Sequence, residues 1–323
     1  MPSVAGTALE MVQLVLPEHA NTRGTLYGGT MMHWITTAAT MAAMKVARGT
    51  VVLGSMDDLD FVAPVAIGDL VTVRAQVEYA GRSSLEVGVE VHAEDPKQGG
   101  ARLTTASHLA MVAVDDGGRP RPVGQAVTPE GSAEAAVVAA ARARKGERDR
   151  ALSDRATQAE RVEEDDDRGL TFAMEVSRIV FPEDAVLGSM MFAGRLMKHL
   201  DEAASILALR YCRCPVVTAS IDALAFYAPI RVGEIVTYQT ALNHVGRSSM
   251  EIGVRVLAEH PLRVDRRHTC TAFLTMVHVD EEGPKPVPPF SPRTDEERRR
   301  WAEAESRRSR RQARRARFRT EAT

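Results

Sequence analysis

In "HANTRGTLYGGTMMHWITT", residues 19–37, a polar loop with one Asn runs into two glycines and then an apolar helix. The first backbone N–H groups of a helix have no partner within it, so Gly28 and Gly29 can offer theirs to a bound oxygen. Without a Cβ they let that oxygen come close. This is the chemistry of a polarised carbonyl, where one such donor is typically worth about 10²–10³ in rate. The same residue types also serve tight helix–sheet packing. The helix carries no acid, no cysteine and no obvious base in its first two turns. If the loop belongs to a reactive site, the group that moves protons lies elsewhere in the chain.

The loop has a second copy. "LVLPEHANTRGTLYGGTMMHWITTAAT" lies over "IVFPEDAVLGSMMFAGRLMKHLDEAAS" without a gap, at an offset of 165 that takes Pro17 to Pro182 and Gly29 to Gly194. The same offset carries Phe61 to Phe226, Pro64 to Pro229, and "GRSSLEVGVEV" (81–91) onto "GRSSMEIGVRV" (246–256). With one residue dropped, "VAVDDGGRPRPV" answers "VHVDEEGPKPV". Two copies of one domain are fused head to tail.

Each copy reads alike. An alternating segment ("ALEMVQLVL", "FAMEVSRIV") predicts a half-buried strand. The Ala/Met/Leu-rich segment after the glycine loop is apolar on most faces and long enough for about five turns, which predicts a helix buried against a sheet. In the first copy four alternating strands follow: "TVVLGSMDDLDF", "DLVTVRAQVEYA", "SSLEVGVEVHAE" and "RLTTASHLAMVAV". Short Gly or Pro turns between them favour antiparallel pairing. A helical segment trails each copy. The expected division is a first domain over 1–124, a helical and acidic linker over 125–169, a second domain over 170–290, and an Arg-rich helix over 291–323.

At 323 residues, 44% hydrophobic and 26% charged, the composition is that of a soluble globular chain of two domains. There is no signal-peptide pattern and no membrane-length apolar run. Three cysteines, Cys212, Cys214 and Cys270, are too few and too oddly spaced for a disulfide framework. A reducing cytoplasm is the expected setting. Cys212 and Cys214 also lack zinc spacing, so no metal is expected. Between Arg298 and Arg319 half the residues are arginine. Aromatic stacking platforms are missing and the rest of the chain is not basic, so a surface helix with Trp301 and Phe318 turned inward is favoured over a nucleic-acid tail.

The motifs "GTLYGGTMM", "SMDDLDFVAPVAIGDLV", "GRSSLEVGVEV" and "VDDGGRPRPV", each with its second-copy partner, resemble the tandem-hotdog acyl-CoA thioesterases of the cytosolic, brain acyl-CoA hydrolase type. The resemblance spans nearly all of 8–123 and 171–288. It implies an α+β fold in which each curved antiparallel sheet wraps a long central helix and the two hotdog domains pair as a pseudo-dimer. It also implies acyl-CoA hydrolysis without a cofactor, and assembly as a trimer of such pairs. Neither nucleic acid nor membrane insertion is part of that expectation.

In that family an acid lies about two turns into the central helix and an Asn in the preceding loop. The acid matches Asp201, with Thr36 in its place in the first copy; the Asn matches Asn21, with Val186 in the second copy. A two-fold relation between the copies then makes one complete site from Asn21, Gly28, Gly29 and Asp201, and a silent one from Val186, Gly194 and Thr36. Asp201 shares a helix stripe with Met197, Ala204 and Ala208, whereas Glu202 has Lys198 one turn back and reads as a surface pair. General base and direct nucleophile both remain open for Asp201. The "GRSS" turns offer Arg82, Ser83, Ser84, Arg247, Ser248 and Ser249 as CoA contacts, or as ordinary strand-start residues. The rival readings are a non-catalytic acyl-CoA-binding or lipid-sensing protein on the same scaffold and, third, a hydratase using His33 or His199.

Overall fold

The computed structural model describes residues 1–162, 169–186, 188–263 and 265–321, without the side chains of 151–162 and 315–321. The acidic run at 163–167 therefore lies outside the described residues, as does the side chain of Phe318.

Alternating apolar residues become two antiparallel sheets, one for each copy. The first runs β1 (Leu9–Leu14), β4 (Leu70–Ala80), β5 (Ser84–Glu94), β6 (Arg102–Ala113), β2 (Val51–Met56) and β9 (Leu224–Ala225). The second runs β3 (Leu59–Asp60), β8 (Val216–Ile221), β12 (Arg267–Asp280), β11 (Ser249–Glu259), β10 (Ile235–Val245) and β7 (Ala173–Ile179), with β13 (Gly283–Pro284) on β12. Because strand side chains alternate faces, each sheet turns one apolar face inward. Helix α1 (Gly28–Ala47) fills the first and α3 (Ala193–Cys212) the second. Met32, Ile35, Ala38, Ala39, Ala42 and Ala43 of α1 are buried, as are Met197, Leu200, Ala204 and Ala208 of α3. The many alanines let the sheet close tightly on the helix.

The pairing of the two hotdog domains is more intimate than the sequence suggests. Residues 50–61 read as one strand, but the chain breaks at Asp57–Asp58 and the two residues of β3 cross to the other sheet. There Leu59 faces Ile221 and Asp60 faces Ser220. In return β9 joins the first sheet, Ser55 opposite Ala225 and Met56 opposite Leu224. The Phe61 N–H donates to Ala219 O (3.0 Å) and the Phe226 N–H to Gly54 O (2.9 Å). Each copy thus closes the other's sheet edge, which leaves less strand exposed to stray pairing.

Helices α2 (Gly131–Val162) and α4 (Asp295–Glu321) follow the two domains. Arg148 of α2 pairs with buried Glu86 (2.8 Å) and with Asp57 (3.0 Å), and Arg144 pairs with Glu78. In α4, Arg307 and Arg311 meet buried Glu251 (both 2.7 Å), and Arg311 also reaches Asp222 (2.6 Å). Arg314 crosses to Asp58 and Asp60 of the first domain (2.6 Å each). Trp301 packs on the core beside His244 and Phe290. The arginine helix is a surface helix, as expected, but its inner arginines are counter-charges for acids buried in the sheets.

The cysteines correct one expectation. Cys212 ends α3, Arg213 turns left-handed (φ 54°), and Cys212 and Cys214 form a disulfide at a Cα–Cα distance of 5.2 Å. No framework is present among the described residues, but the spacing that argued against disulfides holds one pair. Cys270 is free and buried.

Candidate active site

The loop before α1 and the middle of α3 meet where the two domains face each other. Asp201 is completely buried, and its Oδ2 accepts a hydrogen bond from the Gly29 N–H of the other copy at 2.7 Å. Its Oδ1 accepts one from the Thr218 hydroxyl at 2.7 Å. The Tyr27 hydroxyl, at the end of the same loop, donates to Ser205 Oγ one turn beyond Asp201 (3.2 Å). Burial pushes the Asp201 carboxyl up to about 6, against the opposing hydrogen bonds from Thr218, Gly29 and Tyr27. Near neutral pH this is an ionised carboxylate of raised basicity, held in one orientation.

Both glycines are sterically required here. A Cβ on Gly28 would sit 2.8 Å from Thr218 Cβ and 3.2 Å from Asp201 Oδ2, and one on Gly29 would sit 3.0 Å from Lys198 Cα. The packing role and the polar role therefore coincide. The oxygen that the Gly29 N–H meets is that of the Asp201 carboxylate. The N–H of Gly28, at the first helical position, has no intrahelical acceptor.

Asn21 is engaged within its own loop. Its Oδ1 accepts from Arg23 N–H (2.9 Å) and Thr25 N–H (3.3 Å), while its Nδ2 donates to Thr25 Oγ1 (2.9 Å). No hydrogen bond joins it to Asp201 among the described residues. The structure thus brings Gly28, Gly29 and Asp201 together and places Asn21 in the loop leading into them.

The chain matches the thioesterase superfamily twice, over residues 23–99 and 188–264. It is 43% identical to the "uncharacterized acyl-CoA thioester hydrolase YkhA" of Bacillus subtilis over 119 residues, 36% of this chain and 69% of that one. The chain belongs to the thioesterase superfamily. It is also 28% identical to the mouse cytosolic acyl coenzyme A thioester hydrolase over 314 residues, covering 94% of this chain and 82% of the relative. With mouse acyl-coenzyme A thioesterase 11 the identity is 30% over 313 residues, 93% of this chain. The chain spans about half (52%) of that protein's length.

Within this thioesterase the counterpart site is different in kind. Thr36 is buried with its hydroxyl turned back onto Met32 O (2.8 Å), Val186 is 52% exposed, and Gly194 packs against His33 and Phe192. Neither histidine pairs with Asp201: His199 contacts Arg178 and is pushed down to about 4 by burial and by that arginine, and His33 lies against Phe192. Neither His33 nor His199 thus forms with Asp201 the Asp–His pair that the hydratase reading needs. The "GRSS" residues form the β4–β5 and β10–β11 turns, where the Arg82 and Arg247 carbonyls accept from Val123 and Val287 N–H. Both arginine side chains are exposed, one in each copy.

Thr218, Tyr27 and Ser205 escape a reading that looks only for acids, bases and glycines. Comparison of the copies holds a signal for two of them: Thr218 stands over Leu53 and Tyr27 over Phe192, the polar member each time on the side of Asp201. Thr218→Val is expected to lower kcat/KM about 10-fold or more, since a hydrogen bond to a charged group contributes about 1.5–3 kcal/mol. Loss of that donor also moves the acidic limb of the pH–rate profile upward, which steady-state kinetics across pH 5–8 would measure.

Proposed function

We propose that this thioesterase hydrolyses acyl-CoA to the free acid and CoA at one composite site per chain. The supporting observation is the hydrogen bond between Gly29 N–H and Asp201, which sets a buried carboxylate from one copy against the glycine loop of the other. The names of the relatives support the substrate class, and the name of the mouse cytosolic relative suggests the same setting here. Asp201 acts on a water that attacks the thioester carbonyl, Gly28 N–H steadies the developing oxyanion, and the Asn21 amide orients water or carbonyl when substrate enters the loop. CoA lies along the surface toward Arg82 and Arg247, whose neighbouring serines (Ser83, Ser84, Ser248 and Ser249) supply further donors. No metal or redox cofactor is part of the reading.

Burial raises the Asp201 carboxyl to about 6, a proton affinity suited to a general base near neutral pH, and this favours the general-base route. Single turnover in ¹⁸O-water is therefore expected to label the released acid directly and leave Asp201 unlabelled; label in Asp201 would establish an anhydride intermediate. Thiol release across acyl chain lengths separates this reading from a non-catalytic lipid sensor. Thr36→Val and Val186→Ala are expected to leave turnover within about twofold, because neither belongs to the composite site.

Self-association is also proposed, as a trimer of double hotdogs. Edge strands β1 and β7 present Val12, Leu14, Val176 and Ile179 to solvent, an apolar edge that isolated monomers usually avoid. Light scattering should return three times the 35.2 kDa chain mass.

A further inference from the structure

A cavity of about 220 Å³ opens where the first copy's helix and β2 face the second copy's loop. Its lining includes Thr40, Leu53, Val186, Met190 and Phe192. At the 165-residue offset these are the counterparts of Ser205, Thr218, Asn21, Thr25 and Tyr27. The cavity is therefore the positional twin of the composite site. Four of its five polar groups have become apolar, and the acid has become Thr36, whose hydroxyl is spent on Met32 O. Loss of catalysis alone would not require every one of these changes, nor would it keep the space open.

We propose that this second site binds the acyl chain of a fatty acid or acyl-CoA without hydrolysing it. The walls supply what a hydrocarbon chain recognises: Met44, Leu53, Met190, Leu196 and Phe226 around an open volume. A dry apolar cavity of about 150 Å³ is enough for benzene, so this one suits several methylenes. The polar end has a place at the adjoining mouth, which is lined by His33, Thr37, Glu183 and Arg195. His33 lies there against the Gly194 backbone, and Arg195 is exposed. A carbonyl or carboxylate oxygen at the mouth can meet the Arg195 guanidinium. The inference rests on the proposed function only in naming Asp201 as the hydrolytic acid.

The test is calorimetric titration of Asp201→Asn, in which turnover is expected to be slowed, with octanoate, decanoate, octanoyl-CoA and decanoyl-CoA. Two equivalents per chain are expected, one of them lost when either Met190→Trp or Val186→Trp is added, since each fills the cavity from the loop. The lost component should tighten about fourfold per added methylene. Binding of the free acids shows that a carboxylate head suffices, and binding of the CoA esters alone shows that the thioester carbonyl or CoA is needed; both support the pocket. Unchanged stoichiometry in both tryptophan variants, with their melting temperatures retained, would overturn it. An absence of thiol release by the wild type would sink the hydrolase reading and leave this count standing.

Discussion

Asp201→Asn is expected to lower kcat by about 10²–10⁴-fold, the usual range for removing a positioned general base, while the protein stays folded. Removing the charge matters more here than removing the contacts. Asn can still accept the Gly29 N–H, and the Thr218 hydroxyl can rotate to accept from its amide. The ionised carboxylate is costly in the native state: burial lifts it from 3.8 to about 6, or about 3 kcal/mol at about 1.4 kcal/mol per unit. Its folded value lies above its unfolded one, so the cost is absent below about pH 4 and complete above about pH 7. Asp201→Asn should therefore not fall below wild type in stability at pH 7, and its advantage should vanish on acidification. Denaturant melts at pH 4 and pH 7, beside thiol-release kinetics, check both halves. Wild-type turnover in this variant would remove Asp201 from the mechanism.

The same buried carboxylate is expected to set the pH profile. Only the ionised form accepts a proton from water, so kcat/KM should rise with pH through about 6 and level off above about 7. A flat profile from pH 5 to 8 would mean either that the carboxyl is not buried in solution or that it is not the base.

Much of this was legible because the chain is written twice. The offset of 165 fixed the domain count, and the complementary losses at Asn21/Val186 and Thr36/Asp201 singled out which helix faces which loop. What the sequence hid follows from its physics. Asp57–Asp58 interrupts the alternation of residues 50–61, but nothing local says that Leu59 and Asp60 then pair with the other copy's β8. The exit from α3 lacks a glycine where the backbone turns left-handed, and so the juxtaposition of Cys212 and Cys214 across Arg213 had no signal. Asn21 matches the family's loop Asn in the sequence, yet its loop supplies partners for its own amide. The arginine helix was judged by its composition, and composition cannot show that Glu251 and Asp222, far away in the chain, wait beneath it uncompensated.

Arg311→Ala is expected to cost about 3–5 kcal/mol, the range for removing one partner of a buried ion pair. Arg311 is 7% exposed, with one guanidinium nitrogen on Asp222 Oδ2 and another on Glu251 Oε2. Burial alone would raise the Glu251 carboxyl, but Arg307 and Arg311 outweigh it and hold that group below the usual range. With a depressed folded value, its contribution is present at neutral pH and is lost as pH falls through that value. Without Arg311 the sign reverses for Glu251, which keeps only Arg307; Asp222, already pushed up to about 6 by burial, keeps only Arg314 and rises further, and protonation relieves both. The penalty of Arg311→Ala should therefore be largest near pH 8 and shrink toward pH 5, whereas a mutation that only lost packing would show no such slope. Arg311→Lys should recover less than half, because one ammonium cannot span two acids as a planar fork does. Urea melts of the three proteins at pH 5 and 8 measure this directly, and a pH-independent loss would reduce the arginine to a packing residue. Arg148 holds the matching place over Glu86 and Asp57 in the first copy. The trailing helices are thereby structural parts of both domains, and each supplies the charge that lets its sheet bury an acid.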